Sequence, residues 1–111
     1  MRISLEEFKK NLPLPANSKW PKGVWDIEVF RKNELSVLLF SPKQTDYQTS
    51  HDQDELYFVQ NGKGVLTIDG KHFEFGTADI LFVRSGQEHQ FISFSNDLIL
   101  WVILFGERSP I

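Results

Sequence analysis

Short runs of alternating apolar and polar residues, separated by turn residues, extend over most of the chain from residue 25 onward. In such a run, residues two apart share a face, which is typical of a β-strand with one buried face. Asp69-Gly70 stands between two of these runs, and Asp-Gly in that position is the strongest short signal for a β-hairpin. The pattern therefore favours an all-β sandwich or barrel of seven or eight short strands.

The individual strands are predicted from the bounds of these runs. They cover residues 25–29, 35–40, 56–59, 65–68, 71–75 and 79–83, a strand that opens at His89, and residues 98–105.

One helix is predicted near the N-terminus. Ser4 can cap it, and Glu7 three residues later completes a capping box. Leu5, Phe8 and Leu12 form an apolar stripe at helical spacing, and Pro13 stops the helix. We expect this helix to lie against the body of the domain.

The division of the chain follows from these elements. We expect residues 1–22 to form the N-terminal helix and a loop, and residues 23–108 to form a single barrel domain.

The last strand is apolar on both faces, so both faces need to be covered. A barrel uses one face for its interior. We expect the other face to pack on a second sheet layer or on another copy of the chain in a twofold homodimer. The two predicted faces are Leu98, Leu100, Val102 and Leu104 on one side and Ile99, Trp101, Ile103 and Phe105 on the other.

Composition narrows the function classes. The 111 residues carry a net charge of −3, which gives no electrostatic reason to bind nucleic acid. The longest apolar run is far shorter than a membrane span, so we expect no membrane partner. The chain has no cysteine, which excludes thiolate chemistry and fits a reducing compartment, and no secretory signal is visible. We therefore expect a cytoplasmic protein.

The stretch from Thr49 to Gly64 carries the candidate chemistry. If it is extended, His51 and Glu55 lie on the same face, and a neutral imidazole beside a carboxylate can bind a divalent metal. The alternative for an isolated pair of this kind is a polar strand end without chemistry. His72, beside Glu74 on a hairpin, is interpreted as a solvated surface residue.

Two motifs resemble those of the cupin superfamily. His51, Glu55 after three intervening residues, and Gly62 after six more are similar to the first cupin motif. Gly76, Asp79, the apolar run 80–83 and Gly86-Gln87-Glu88-His89 are similar to the second. The resemblance implies a jelly-roll β-barrel and a metal held by His51, Glu55 and His89.

The sequence departs from the cupin pattern at two positions. Thr49 stands where the family has its first histidine, and Arg84 stands where it has a proline. The remaining ligand set of two histidines and one carboxylate resembles sites for non-haem iron, and also suits Zn, Mn, Ni or Cu. Ligand type alone does not choose among these ions.

Two classes of function remain open. The first is a metal-dependent enzyme that acts on a small organic molecule, by dioxygen insertion or isomerisation. The second is a non-catalytic module that binds or senses a small ligand, with a structural metal or none. Residues predicted to contact the small molecule are Thr49, Gln53, Tyr57, Arg84, Phe91 and Trp101, although barrel core is the preferred interpretation for Phe91 and for Val59.

Overall fold

The computed structural model describes residues 1–15, 25–43 and 52–108. Within these residues, eight antiparallel strands form two sheets, and one short helix precedes them. The all-β jelly-roll prediction is confirmed, and every predicted strand is found close to its expected bounds. The elements are α1 (Leu5–Lys9), β1 (Asp26–Lys32), β2 (Leu35–Phe40), β3 (Asp54–Asn61), β4 (Gly64–Ile68), β5 (Lys71–Phe75), β6 (Ile80–Val83), β7 (His89–Phe94) and β8 (Ile99–Phe105).

The strand order brings distant parts of the chain together. The larger sheet has the order β1-β2-β8-β3-β6, and the smaller sheet has the order β5-β4-β7. The apolar faces of the two sheets meet in one core, because each strand turns alternate side chains inward. The buried members of this core are Phe40, Tyr57, Val59, Leu66, Phe75, Val83, Phe91, Leu98, Leu100 and Val102.

Strand β3 follows the predicted alternation. Glu55, Tyr57 and Val59 are buried, whereas Phe58 between them is 36% exposed. The ring of Tyr57 meets that of Phe91 edge to face, with 5.2 Å between their centroids, an arrangement that aromatic pairs favour. Val59 and Phe91 belong to the core, which is the interpretation preferred for them from the sequence.

A second apolar cluster lies on the outer face of the larger sheet. Helix α1 begins after Ser4, whose hydroxyl accepts a hydrogen bond from the Glu7 amide. Side chains of the N-terminal segment then pack on the outer face of the sheet, as the helical stripe predicts. The cluster consists of Val29, Leu39 and Ile99 with Ile3, Leu5, Phe8, Leu12, Ile27, Phe30, Val37 and Trp101 around them.

This cluster corrects one expectation about the last strand. The outer face of β8 at Ile99 and Trp101 is covered by the N-terminal segment of the same chain, not by a second sheet layer. The predicted boundary at residue 22 falls outside the described residues. No helix in the described part of the chain is long and apolar enough to cross a membrane.

The β7–β8 turn is fastened at the end of β3. The amide of Asn61 donates to the backbone carbonyl and to the carboxylate of Asp97, each at 3.0 Å. Hydrogen bonding to Ser95, with the Asn61 amide adding to it, holds the pKa of the Asp97 carboxyl below its ordinary value. The two hydrogen bonds of Asn61 therefore join the end of β3 to the β7–β8 turn.

Candidate metal centre

Glu55 and His89 come together from the two sheets. Glu55 is the second residue of β3, between Val83 of β6 and Leu104 of β8. His89 opens β7, opposite Ile68 of β4. Oε1 of Glu55 lies 3.2 Å from Nε2 of His89, and the two side chains are only 1% and 0% exposed. The fold therefore buries an acid and an imidazole side by side, as the two separated motifs predict.

The contact made by Nδ1 of His89 determines which ring nitrogen carries the hydrogen. Nδ1 lies 3.0 Å from the backbone carbonyl of Gln87. A carbonyl oxygen only accepts hydrogen bonds, so Nδ1 carries the hydrogen in this contact. In a neutral ring, Nε2 then presents its lone pair to the Glu55 carboxylate, which is also an acceptor. Two acceptors at this distance require a proton or a metal ion to join them.

The geometry of the pair fits a metal ion. Nitrogen and oxygen atoms bound to one ion at about 2.1 Å, with an angle of roughly 90–110° between the bonds, lie roughly 3.0–3.4 Å apart. The 3.2 Å between Glu55 Oε1 and His89 Nε2 falls inside that interval. A histidine that donates its other ring N–H to a backbone carbonyl is also the usual arrangement of a metal ligand. Burial adds to the fit, since a carboxylate in an apolar barrel needs a positive partner.

The rest of the predicted ligand set lies outside the described residues. His51 and Thr49 belong to residues 44–51, of which the structure describes none. Within residues 1–15, 25–43 and 52–108, no three His, Cys, Asp or Glu side chains converge on one point. The described part of the chain thus brings together two of the three predicted ligands. The third remains a prediction from the motif.

Two of the predicted ligand-contacting residues, Tyr57 and Phe91, lie in the barrel interior close to His89. Tyr57 is fully buried, and its ring centroid is 6.2 Å from that of His89. Phe91 lies two residues after His89 on the same inward face of β7. Arg84 is exposed in the loop between β6 and β7. Tyr57 and Phe91 therefore form an aromatic wall next to the histidine.

The side chain of Gln53 is anchored to the backbone of two other segments. Its side chain is buried, and its amide nitrogen donates to the backbone carbonyls of Glu34 at 2.6 Å and Gly106 at 3.1 Å. Its oxygen accepts no hydrogen bond in the described part of the chain. The nitrogen of this amide therefore fastens the entry to β3, and only the oxygen remains available to a ligand.

The expected position of Trp101 next to the site is wrong. Trp101 packs in the outer cluster beneath α1, and its indole donates to the side-chain oxygen of Gln60 at 3.0 Å. It pairs with Phe58, which points away from the core, whereas Val102 pairs with Tyr57. A strand that is apolar on both faces gives no signal about which face is internal, and this ambiguity caused the error.

Two residues that the sequence does not assign to the site, Gln87 and Asp69, hold the loop that leads into His89. The side chain of Gln87 accepts from the Arg84 amide at 2.8 Å and donates to Asp69 at 2.9 Å. Asp69 also accepts from the Glu88 amide at 3.1 Å. Asp69 was recognised only as part of a hairpin turn, because its contact with a loop almost twenty residues away leaves no local pattern.

Comparisons with known proteins agree on the family. A family model described as a cupin domain matches residues 36–105. An uncharacterized protein of Streptomyces coelicolor is 30% identical over 85 residues, which are 75% of this chain and 81% of that protein.

Solved structures give the same result for the fold. A cupin protein from Bacteroides fragilis is 26% identical with a TM-score of 0.51, over 66% of this chain and 64% of that one. A putative mannose-6-phosphate isomerase from Ralstonia eutropha is 16% identical with a TM-score of 0.61, over 74% and 85% of the two chains. The latter likeness shows the fold alone. With a family model that covers most of its length and a barrel of the expected topology, this chain belongs to the cupin family.

Proposed function

We propose that this cupin binds a divalent metal ion through His51, Glu55 and His89 and uses it to act on a small organic molecule. The observation that carries the proposal is the buried contact of 3.2 Å between Glu55 Oε1 and His89 Nε2, with Nδ1 of the same ring held by a backbone carbonyl. Fe, Zn, Mn and Ni are all compatible with these ligand types.

The bound ion would supply Lewis acidity and open coordination positions for a substrate. Around it, Glu55 offers a negative charge, and His89 offers a lone pair whose direction the Gln87 carbonyl fixes. Tyr57 and Phe91 exclude water from the inner side of the pair, since both are fully buried. We therefore propose that a substrate approaches the pair from the side away from these two rings.

The chain offers a small set of groups to orient a substrate. Arg84 is exposed in the loop before His89 and can bind an anionic group, because guanidinium pairs well with carboxylate or phosphate. Gln53 offers its amide oxygen, and Thr49, two residues before His51 in the sequence, is a further candidate through its hydroxyl. We propose a small, polar or anionic substrate, with dioxygen insertion or isomerisation as the two candidate reactions.

Metal binding is tested by equilibrium dialysis of metal-free protein against Fe²⁺, Zn²⁺, Mn²⁺ and Ni²⁺, with the metal content measured by mass spectrometry. We expect one ion per wild-type chain. Glu55→Ala and His89→Ala are expected to weaken binding at least about 100-fold, since each removes a direct ligand.

His72→Ala is the matched control for these variants. His72 is an exposed histidine on β5, so its removal leaves the affinity unchanged if the ion is bound at the proposed centre. A wild type that carries no stoichiometric ion under any supply would remove the proposal. Equal losses in His72→Ala and His89→Ala would also do so, since they would indicate adventitious binding to histidines.

A non-catalytic ligand-binding cupin is the second candidate. Thr49 stands in place of the first motif histidine, which supports it because one fewer ligand weakens a catalytic centre. Oxygen consumption and product formation across a panel of diketones, phenolics and sugars separate the two functions. Turnover that disappears in Glu55→Ala would exclude the purely binding role, whereas metal binding without turnover would favour it.

We also propose that the chain forms a twofold homodimer through an apolar patch on the outer face of β3 and β6. Its exposed members are Phe58 (36%), Ile80 (65%) and Phe82 (50%). Phe58 pairs with Ile80 across the two strands, and Leu56 pairs with Phe82. The ring of Phe105 lies 6.5 Å from that of Phe82 and extends the patch towards β8.

A second copy of the chain is the partner that this patch suits best. In a twofold interface the same surface meets itself, so a charged patch would bring like charges together. Strand β6 contains no charged residue, in contrast to the edge strands β1 and β5. Edge strands without charges are normally covered, because they otherwise promote aggregation.

A further inference from the structure

The loop between β6 and β7 is held by hydrogen bonds at both of its ends and in its middle. The Ser85 amide donates to the Asp54 carboxylate at 2.9 Å, which ties the loop to the start of β3. Within the loop, the amide of Gln87 donates to the Arg84 carbonyl at 3.1 Å. The side-chain oxygen of Gln87 accepts from the Arg84 amide at 2.8 Å. The loop therefore closes on itself around Gln87.

Asp69 fastens this closed loop to the other side of the barrel. One of its carboxylate oxygens accepts from the side-chain amide of Gln87 at 2.9 Å, and the other accepts from the backbone amide of Glu88 at 3.1 Å. Its own backbone amide donates to the Glu88 carbonyl at 2.8 Å. Asp69 itself is in the left-handed region, with φ of 48° in the tight β4–β5 turn.

These contacts converge on the carbonyl that orients His89. The carbonyl of Gln87 accepts the hydrogen of His89 Nδ1 at 3.0 Å, and the Gln87 residue is fixed at its amide, its side-chain oxygen and its side-chain nitrogen. If the Gln87 carbonyl could move, the His89 ring could rotate with it, because the hydrogen bond to this carbonyl sets the direction in which Nε2 points. The outer partners of a metal-binding histidine typically change metal affinity 10–100-fold.

We propose that Asp69 and Gln87 form a positioning pair that holds the His89 imidazole with Nε2 directed at Glu55. Neither residue contacts the metal; both act through the backbone carbonyl of Gln87. The proposal rests on the proposed function for its effect on metal affinity, whereas its effect on the histidine ring can be measured without metal.

A charge-conserving swap tests the pair. Gln87→Glu alone places a carboxylate against the Asp69 carboxylate, and Asp69→Asn alone leaves one of the two donors that face Asp69 without an acceptor. The double variant Asp69→Asn/Gln87→Glu reverses the donor and the acceptor of the contact. In the double variant, the new carboxylate at position 87 accepts from the Arg84 backbone amide and from the side-chain NH₂ of the new asparagine at position 69. The side-chain oxygen of that asparagine still accepts from the Glu88 backbone amide.

Metal affinity and the state of the His89 ring are the two readouts. We expect each single variant to bind Zn²⁺ or Ni²⁺ about 10-fold more weakly than wild type, and the double variant to recover to within about 3-fold, because partners in direct contact are not additive. In ¹⁵N spectra of the metal-free proteins, wild type and the double variant retain a slowly exchanging hydrogen on His89 Nδ1. The single variants lose it.

Asn61→Ala is the matched control, because it removes two side-chain amide hydrogen bonds from a different turn and should change neither readout. Single variants that match wild type in both measurements would overturn the proposal and leave the metal site standing. A double variant that shows no recovery would also overturn it, since the losses would then reflect general damage. If wild type binds no metal, the proposed function fails, and the ring spectra still decide whether the pair positions His89.

Discussion

At the scale of single residues, the site depends on the buried contact between Glu55 and His89, two polar side chains that are costly to bury unless they are paired. The side chains of Glu55 and His89 are almost completely buried, and an isolated charge in such surroundings is costly. A metal ion or a proton between Glu55 Oε1 and His89 Nε2 would lower that cost. A family-typical metal and a buried ion pair are the two solutions, and metal analysis distinguishes them directly.

The close approach of β4 and β7 explains why residue 64 is a glycine. A Cβ on Gly64 would lie 2.3 Å from the Ser93 carbonyl oxygen and 2.9 Å from Phe94 Cα, and backbone atoms cannot move aside cheaply. We predict that Gly64→Ala lowers the free energy of unfolding by about 1–3 kcal/mol, measured by urea denaturation.

Gly76→Ala is the control for that substitution. A Cβ there meets nothing within 4 Å, and the residue is outside the left-handed region. The change should leave stability within about 1 kcal/mol of wild type, on the stabilising side, because alanine restricts the unfolded chain. If both variants lost the same free energy of unfolding, the close approach of β4 to β7 would not be the reason that residue 64 has to be glycine.

The sequence predicts which side chains point inward where one alternating pattern runs along a strand. The alternation of β3 correctly placed Glu55, Tyr57 and Val59 inward, and the two motifs correctly brought Glu55 and His89 together. Alternation failed at Trp101, since β8 is apolar on both faces. It also gave no sign of Asp69 and Gln87, whose contact depends on how a hairpin turn and a distant loop meet in three dimensions.

At the scale of elements, helix α1 acts as a cover for the larger sheet. The helix has only five residues, too few to be stable alone, so its apolar side chains must supply the stability through contact with the sheet. The capping signal and the stripe of Leu5, Phe8 and Leu12 predicted the helix from the sequence. Its exact target could not be predicted, because the stripe is compatible with any apolar face.

Phe8→Ala tests this cover. We predict a loss of about 1–3 kcal/mol in the free energy of unfolding, less than for a fully buried phenylalanine because Phe8 is only partly buried. Lys9→Ala, an exposed position on the same helix, should change stability by less than about 0.5 kcal/mol. Should both variants unfold at the same denaturant concentration, the helix would contribute nothing through its contact with the sheet.

At the scale of the whole molecule, the barrel carries its site and its proposed interface on different surfaces. The Glu55–His89 pair lies between the sheets, whereas Phe58, Ile80 and Phe82 lie on the outside of the larger sheet. The sequence predicted an outer apolar face on β8. Side chains of the N-terminal segment pack in the outer cluster that contains Ile99 and Trp101, whereas the exposed residues Phe58, Ile80 and Phe82 lie on β3 and β6.

Phe82→Glu tests the dimer. We predict that wild type sediments as a dimer at about 10 µM and that Phe82→Glu sediments as a monomer, because the substitution places a carboxylate from each copy in an apolar interface. Phe73→Glu is the matched control: Phe73 is 43% exposed, close to the 50% of Phe82, but lies on β5 of the other sheet. A wild-type monomer, or a dimer in both variants, would contradict the interface.

An anomalous difference map from a crystal of the metal-loaded protein tests most directly whether one ion lies between Glu55 and His89. We predict a single strong peak within bonding distance of Glu55 Oε1 and His89 Nε2, with the His51 imidazole as a further ligand. A map without a peak between these side chains, or with its peak at His72 or another surface histidine, would contradict it.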